Sequence, residues 1–167
     1  HGTLNEIASG PELQHQLLKN GCRTVSALMP DADLTCLDFW CRGGSTFEDH
    51  GEEGLAHFLE HMVFKGSATL QAGEFDRRIE ALGGSSNAAT GFDDVHFHVL
   101  VPSSCAQNAL DLLLDLVLNP ALREDAYGME RDVVLEEIAQ YRDQPDEQVF
   151  QTLLSQGFGQ HPYGRPI

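Results

Sequence analysis

The sequence predicts an α+β fold, and three observations carry that prediction. Strand-like and helix-like stretches come in blocks rather than in strict alternation. The hydrophobic period changes from two residues to about 3.6 near Gly54. Glycine and proline pairs fall at block borders, at Gly43-Gly44, Gly83-Gly84 and Asn119-Pro120. An antiparallel sheet with helices packed on one side is the architecture this order suggests.

The first third reads as β. Residues 13–18 and 22–29 flank Asn20-Gly21, the dipeptide that best supports a two-residue hairpin turn. Residues 34–42 form another strand, with Leu37, Phe39 and Cys41 alternating against Asp38, Trp40 and Arg42. A helix runs from about Gly54 and stops at Gly66. It carries Leu55, Phe58, Leu59, Met62, Val63 and Phe64, so it is apolar nearly all round and is expected to be buried. A short helix at 74–82 places Phe75, Ile79 and Leu82 on one side. Strands follow at 85–90 and 94–101, then helices at about 106–118, 123–142 and 146–156, punctuated by Pro145 and Gly157. The whole of 1–167 is expected as one domain.

Composition excludes several classes of partner. Hydrophobic residues make up 41% of the 167, a globular composition. Ten basic against 26 acidic side chains give a formal charge of −16, which disfavours nucleic acid and anionic membranes. The acidity reads as a solvated surface; a preference for basic peptides is the sharper alternative. The leucine-rich run from Ala109 to Leu118 is interrupted by Asp111 and Asp115, so it predicts no membrane span. Cys22, Cys36, Cys41 and Cys105 contain no Cys-x-x-Cys pair. They are expected as free, mostly buried thiols in a reducing compartment, with two disulfides as the alternative. His1 and the turn-rich ending from His161 to Ile167 suggest a segment of a longer chain.

The chemistry concentrates in His57-Phe58-Leu59-Glu60-His61. Residues four apart share a helix face with Cβ atoms about 5–6 Å apart, which lets two imidazoles reach one Zn²⁺ at roughly 2.0–2.1 Å. Glu60 flanks the same position and can take a proton from water. His-x-x-Glu-His is one of the zinc peptidase motifs, the reverse of His-Glu-x-x-His. The competing reading is an amphipathic helix whose histidines are merely exposed. A catalytic zinc wants a third protein ligand and an open position. On the helix from 123, Tyr127, Val134, Ile138 and Tyr141 form an apolar stripe at 100° per residue. Glu130 and Glu137 fall together on its edge, and Glu136 points almost the opposite way. Glu137 is therefore the expected third ligand and Glu130 its supporting neighbour; a salt-bridged edge residue is the alternative for Glu137.

The run from His57 to Gly66 resembles the signature of the pitrilysin family of inverted-zincin metallopeptidases, which includes insulin-degrading enzyme and the mitochondrial processing peptidase. The family's third ligand is a Glu some 75 residues downstream, and 137 − 61 = 76 matches it. Gly83-Gly84-Ser85-Ser86-Asn87-Ala88 with Phe92-Asp93-Asp94 is similar to the family's edge strand. That resemblance implies a substrate-binding role for Asn87 and Ala88 by strand addition; otherwise they are turn residues. The likeness extends from about Leu13 to the end of the chain. It implies the first half of a two-half clamshell, closing on an extended peptide together with a second, related half-domain or subunit.

Two functions follow as expectations. The first is a zinc-dependent metalloendopeptidase or oligopeptidase holding one Zn²⁺, with Glu60 as general base. The second is a non-catalytic partner subunit that binds extended peptides. The chain alone is expected to fold but to turn over little peptide. His96 and His98 share a strand face at a spacing that suits a metal. Their alternation with Val95, Phe97 and Val99 reads instead as ordinary half-buried histidines.

Overall fold

The structure, a computed structural model, describes residues 10–167. The chain divides between Asp33 and Leu34 into two compact units. The first is a hairpin of β1 (Leu13–Leu17) and β2 (Arg23–Ala27), paired antiparallel with Leu17 opposite Arg23. The turn differs from the two-residue expectation. Gly21 N–H donates to the Leu18 carbonyl at 2.9 Å, and Leu18 N–H to the Cys22 carbonyl at 2.8 Å. Lys19 and Asn20 therefore occupy the centre of the turn, and Gly21, at φ 86°, takes the left-handed position after it. This is the three-residue loop with a glycine bulge; the Asn-Gly pair is used one position out of phase with a two-residue turn. Asn20 Oδ1 accepts from Cys22 N–H at 3.0 Å, which stabilises the shifted arrangement.

The second unit contains β3 (Leu34–Arg42), α1 (Leu55–Val63), α2 (Glu74–Ala81), β4 (Ser85–Thr90), β5 (Asp94–Pro102), α3 (Ala106–Leu118), α4 (Glu124–Arg142) and α5 (Pro145–Phe158). Its sheet has the order β3-β5-β4, with both pairings antiparallel. Alternation along β5 decides which face is covered. Phe97, Val99 and Val101 are buried against Ala109, Leu112, Leu113 and Leu116 of α3, Phe75 and Ile79 of α2, and Val63 of α1. Each of these side chains larger than alanine contributes about 1.5–3 kcal/mol of apolar burial. The opposite face carries Asp38, Trp40, His96, His98 and Leu100, and Trp40 is 58% exposed. An α+β fold with helices on one side of an antiparallel sheet is what results.

Two devices set the ends of α1. Glu48 is buried before the helix, and its carboxylate accepts from Gly54 N–H at 3.1 Å and Ala56 N–H at 2.8 Å. These are the donors a helix N-terminus leaves without partners, and a negative charge there suits the helix dipole. After the helix, Gly66 adopts φ 117°, where a Cβ would lie 2.5 Å from the Leu70 carbonyl oxygen. Ser67 then donates to Asp115 of α3 at 2.5 Å, and Thr69 to the same oxygen at 2.7 Å. These bonds hold the Asp115 carboxyl below its usual value.

Two expectations about exposure are corrected, for α1 and for the cysteines, and the apolar stripe of α4 is only partly covered. α1 is not covered all round: Met62 and Val63 are buried, whereas Leu55 and Leu59 are 54% and 46% exposed. Leu55, Leu59 and Met62 lie along one helical stripe, and only its C-terminal end meets a neighbour. On α4, Val134 is buried, but Tyr127 and Tyr141 are about half exposed, at 52% and 47%. The cysteines are free, yet Cys22 and Cys36 are exposed and Cys41 and Cys105 only half-buried. Cys36 sits at an outward position of β3, where strand alternation outweighs the thiol's preference for burial.

Candidate metal centre

Helix α1 presents His57 and His61 one turn apart, and α4 brings Glu137 against them. His57 Nε2 lies 3.1 Å from His61 Nε2. Glu137 Oε2 lies 3.2 Å from His61 Nε2 and 3.5 Å from His57 Nε2. Ligands at roughly 2.0–2.1 Å from a tetrahedral ion stand about 3.3–3.4 Å from one another. The three separations bracket that value. The side chains are 15%, 19% and 33% exposed, so the cluster lies near the surface with one side open. His57, His61 and Glu137 thus fit a divalent ion with a coordination position free.

The electrostatics of the cluster also call for a cation. Glu130 Oε1 lies 2.8 Å from His61 Nδ1, and Lys65 Nζ lies 2.6 Å from Glu130 Oε2. A carboxylate at Nδ1 fixes the proton there, which leaves a lone pair on Nε2. That lone pair faces the Glu137 carboxylate at 3.2 Å, two acceptors pointed at one space. His57 Nε2 borders the same space, 3.1 Å from His61 Nε2, and a cation held among the three groups would suit all of them. Glu130 is only 4% exposed. Burial works against its ionisation, but hydrogen bonds and charge from Lys65 and His61 outweigh it and hold the carboxyl below the usual carboxylate range. Glu136, the residue before Glu137 on α4, is exposed.

Glu60 points toward the sheet. Its Oε2 accepts a short hydrogen bond from Thr90 Oγ1, at the end of β4. Asn87 and Ala88 lie on the same strand, opposite His98 and Phe97 of β5. Among the described residues the other edge of β4 is unpaired, so its backbone groups are open to another strand. Asn87 is exposed, and its Oδ1 accepts from Ala88 N–H at 2.8 Å.

The structure adds three residues that sequence reasoning missed. Thr90 contacts Glu60 across 30 residues, and no local pattern signals that pairing. Glu48 caps α1 from six and eight residues away, outside the usual capping spacing. Lys65 was readable, since it lies four residues after His61 on the same helical face. Two surface clefts, one beside Met62 and Tyr127 and one between Leu70 and Asp115, do not include the histidine cluster.

Comparison with known proteins identifies the family and the fold. The family described as Insulinase (Peptidase family M16) matches residues 23–167. An uncharacterized zinc protease of Rickettsia bellii is 37% identical over 90% of this chain and 36% of its own length. A probable mitochondrial-processing peptidase subunit beta of Arabidopsis thaliana is 36% identical over 98% of the chain and 31% of its own. The crystal structure of a protease from Helicobacter pylori superposes with a TM-score of 0.85 at 32% identity, covering 92% of this chain and 37% of that one. Pitrilysin superposes with a TM-score of 0.83 at 26% identity, covering 94% of this chain and 17% of pitrilysin. The chain therefore spans about a third of the length of the curated relatives it matches. On the family match and these relatives, the chain belongs to the insulinase family of peptidases, M16.

Proposed function

We propose that this chain is the metal-bearing part of a zinc-dependent endopeptidase or oligopeptidase. The observation that carries the proposal is the triangle of His57, His61 and Glu137, whose separations of 3.1, 3.2 and 3.5 Å fit one tetrahedral ion. Zinc bound there would supply Lewis acidity toward the scissile carbonyl and lower the pKa of water to about 7. The remaining work falls to the chain's own residues. Glu60 accepts the proton of the attacking water and returns it to the leaving amine. Thr90 holds the Glu60 carboxylate at the end of β4, beside the strand edge where a peptide would lie. Asn87 and Ala88 on that edge pair with the extended substrate backbone. Glu130 and Lys65 keep His61 in the tautomer that turns its Nε2 lone pair to the metal.

Residues 1–167 are read as one N-terminal metallopeptidase domain that works with a second, related half. The Arabidopsis relative is named as a beta subunit, which supports a partner on a separate chain as one form of that arrangement. The second reading is a subunit that binds extended peptides without cleaving them. The two readings separate on Glu60→Gln in the protein carrying this chain at full length. The enzyme reading expects a loss of about 10²–10⁴-fold in kcat with zinc content unchanged. Glu137→Gln should release zinc, and Glu136→Gln should leave both zinc and turnover intact. Wild-type cleavage by Glu60→Gln would sink the assignment of the base. Absence of cleavage by the wild type, with peptide still bound, would favour the binding subunit.

A further inference from the structure

We propose that the outer face of the three-stranded sheet holds a second metal site, for a divalent cation of the zinc, nickel and copper class, with Asp38, His96 and His98 as ligands. One ligand atom from each of the three lies within 4.8 Å of the other two. The register explains the convergence. Asp38 of β3 stands directly opposite His98 of β5, and His96 is two residues back on the same face. Two-residue spacing on a strand separates Cα atoms by about 6.6–6.8 Å, within reach of two imidazoles closing on one ion.

Two of the three ligands already stand close. His96 Nδ1 lies 3.0 Å from Asp38 Oδ1, near the separation a shared tetrahedral ion imposes. The indole of Trp40 stacks on the His96 ring at 4.2 Å and 7°, which fixes its plane. The His98 ring lies nearly parallel, at 5.6 Å and 18°. An Asp–His ion pair with an aromatic lid would account for Asp38, His96 and Trp40. It does not account for His98, whose Nδ1 is buried with no hydrogen-bond partner among the described residues. A buried imidazole nitrogen left without a partner is uncommon and points to a ligand. Two imidazoles and one carboxylate suit Zn²⁺, Ni²⁺ or Cu²⁺ rather than Mg²⁺ or Ca²⁺, and three protein ligands leave a position open to solvent. The helices cover the other face of this sheet, so the site shares no residue with the His57 cluster and does not depend on it.

The experiment is zinc titration of the chain by equilibrium dialysis and elemental analysis, repeated with Co²⁺ to read the coordination geometry from its visible spectrum. Wild type is expected to hold two equivalents, and His57→Ala/His61→Ala one, with a tetrahedral Co²⁺ spectrum. His96→Ala/His98→Ala should keep one, and the combination of all four substitutions none. Asp38→Asn, an outward-facing change that leaves the fold in place, should weaken the second equivalent by at least about 10-fold. If His57→Ala/His61→Ala holds no metal while His96→Ala/His98→Ala keeps one, the outer site is overturned and the first reading survives. The reverse pattern supports the outer site and overturns the reading of His57 and His61. A second equivalent that persists in both His96→Ala/His98→Ala and Asp38→Asn lies elsewhere, and overturns the proposal.

Discussion

Among the described residues the protein carries two clusters of two histidines and a carboxylate, and they are built on different periods. His57 and His61 sit four apart on α1, whereas His96 and His98 sit two apart on β5. The helical cluster is drawn tight, with donor separations of 3.1–3.5 Å. In the strand cluster His96 Nδ1 and Asp38 Oδ1 stand 3.0 Å apart, with His98 as the third member. The difference lies in what stands behind each ring. His61 has a buried carboxylate at Nδ1, itself held by Lys65, so its tautomer and orientation are set before any ion arrives. His96 has the Trp40 plane and the Asp38 carboxylate at 3.0 Å, but that carboxylate is 31% exposed where Glu130 is 5%. His98 has only the parallel His96 ring, its Nδ1 without a partner among the described residues. Pre-organisation of this kind determines affinity, so the helical cluster should bind its ion more tightly.

Removing the support behind His61 is the strongest way to break that contrast. Glu130→Gln keeps the shape of the side chain but removes its charge and its pairing with Lys65. It should cost about 10–100-fold in zinc affinity at the His57 cluster. Dialysis against a competing chelator would measure this, with Asp38→Asn as the variant that addresses the strand cluster instead. An unchanged affinity would mean that His61 holds its orientation without Glu130.

A smaller effect is expected from Thr90→Val, which keeps the side chain's shape and removes the hydroxyl that donates to Glu60. One hydrogen bond to a carboxylate is worth about 1.5 kcal/mol or more, so kcat should fall roughly 10-fold. Zinc content should not change, because Thr90 touches the proposed base and none of the proposed ligands. A change in zinc stoichiometry would show that Thr90 acts on the cluster as a whole.

What could be read from the sequence divides along the same line. The spacing of His57, Glu60 and His61 and the helical phase of Glu130, Glu136 and Glu137 are local signals, which periodicity alone can express. The strand alternation of Leu37, Phe39 and Cys41 was equally legible. Thr90, by contrast, reaches Glu60 only because β4 ends beside α1, a fact of topology that no nearby residue encodes. The exposure of Leu55, Leu59, Tyr127 and Tyr141 was also hidden, since composition states how apolar a helix is but not how many neighbours cover it. At Asn20-Gly21 the turn chemistry was recognised and its phase missed, because three-residue and two-residue loops both use a glycine at positive φ.

The smallest expected effect tests how α1 is anchored. Ser67 and Thr69 follow the helix and donate to Asp115 on α3, so they tie the end of the histidine helix to the core. Asp115→Ala removes the acceptor and leaves the buried Ser67 hydroxyl without its carboxylate, although Ser67 Oγ still accepts from Leu70 N–H at 2.9 Å. Asp115 is half-exposed, so water replaces part of what is lost and the cost should be about 1 kcal/mol. The sign of its pH dependence follows from the direction of its shift. The carboxyl is held below its ordinary value by the Ser67 and Thr69 hydroxyls, so its contribution is fully present above that value, near pH 4. It disappears as pH falls through the lower, folded-state value. Thermal melts of wild type and variant should therefore differ at pH 7, and the gap should close as pH falls below the ordinary carboxylate value and through the lower folded-state one. A gap that stays constant over that range would mean the carboxylate charge is not what ties α1 to α3.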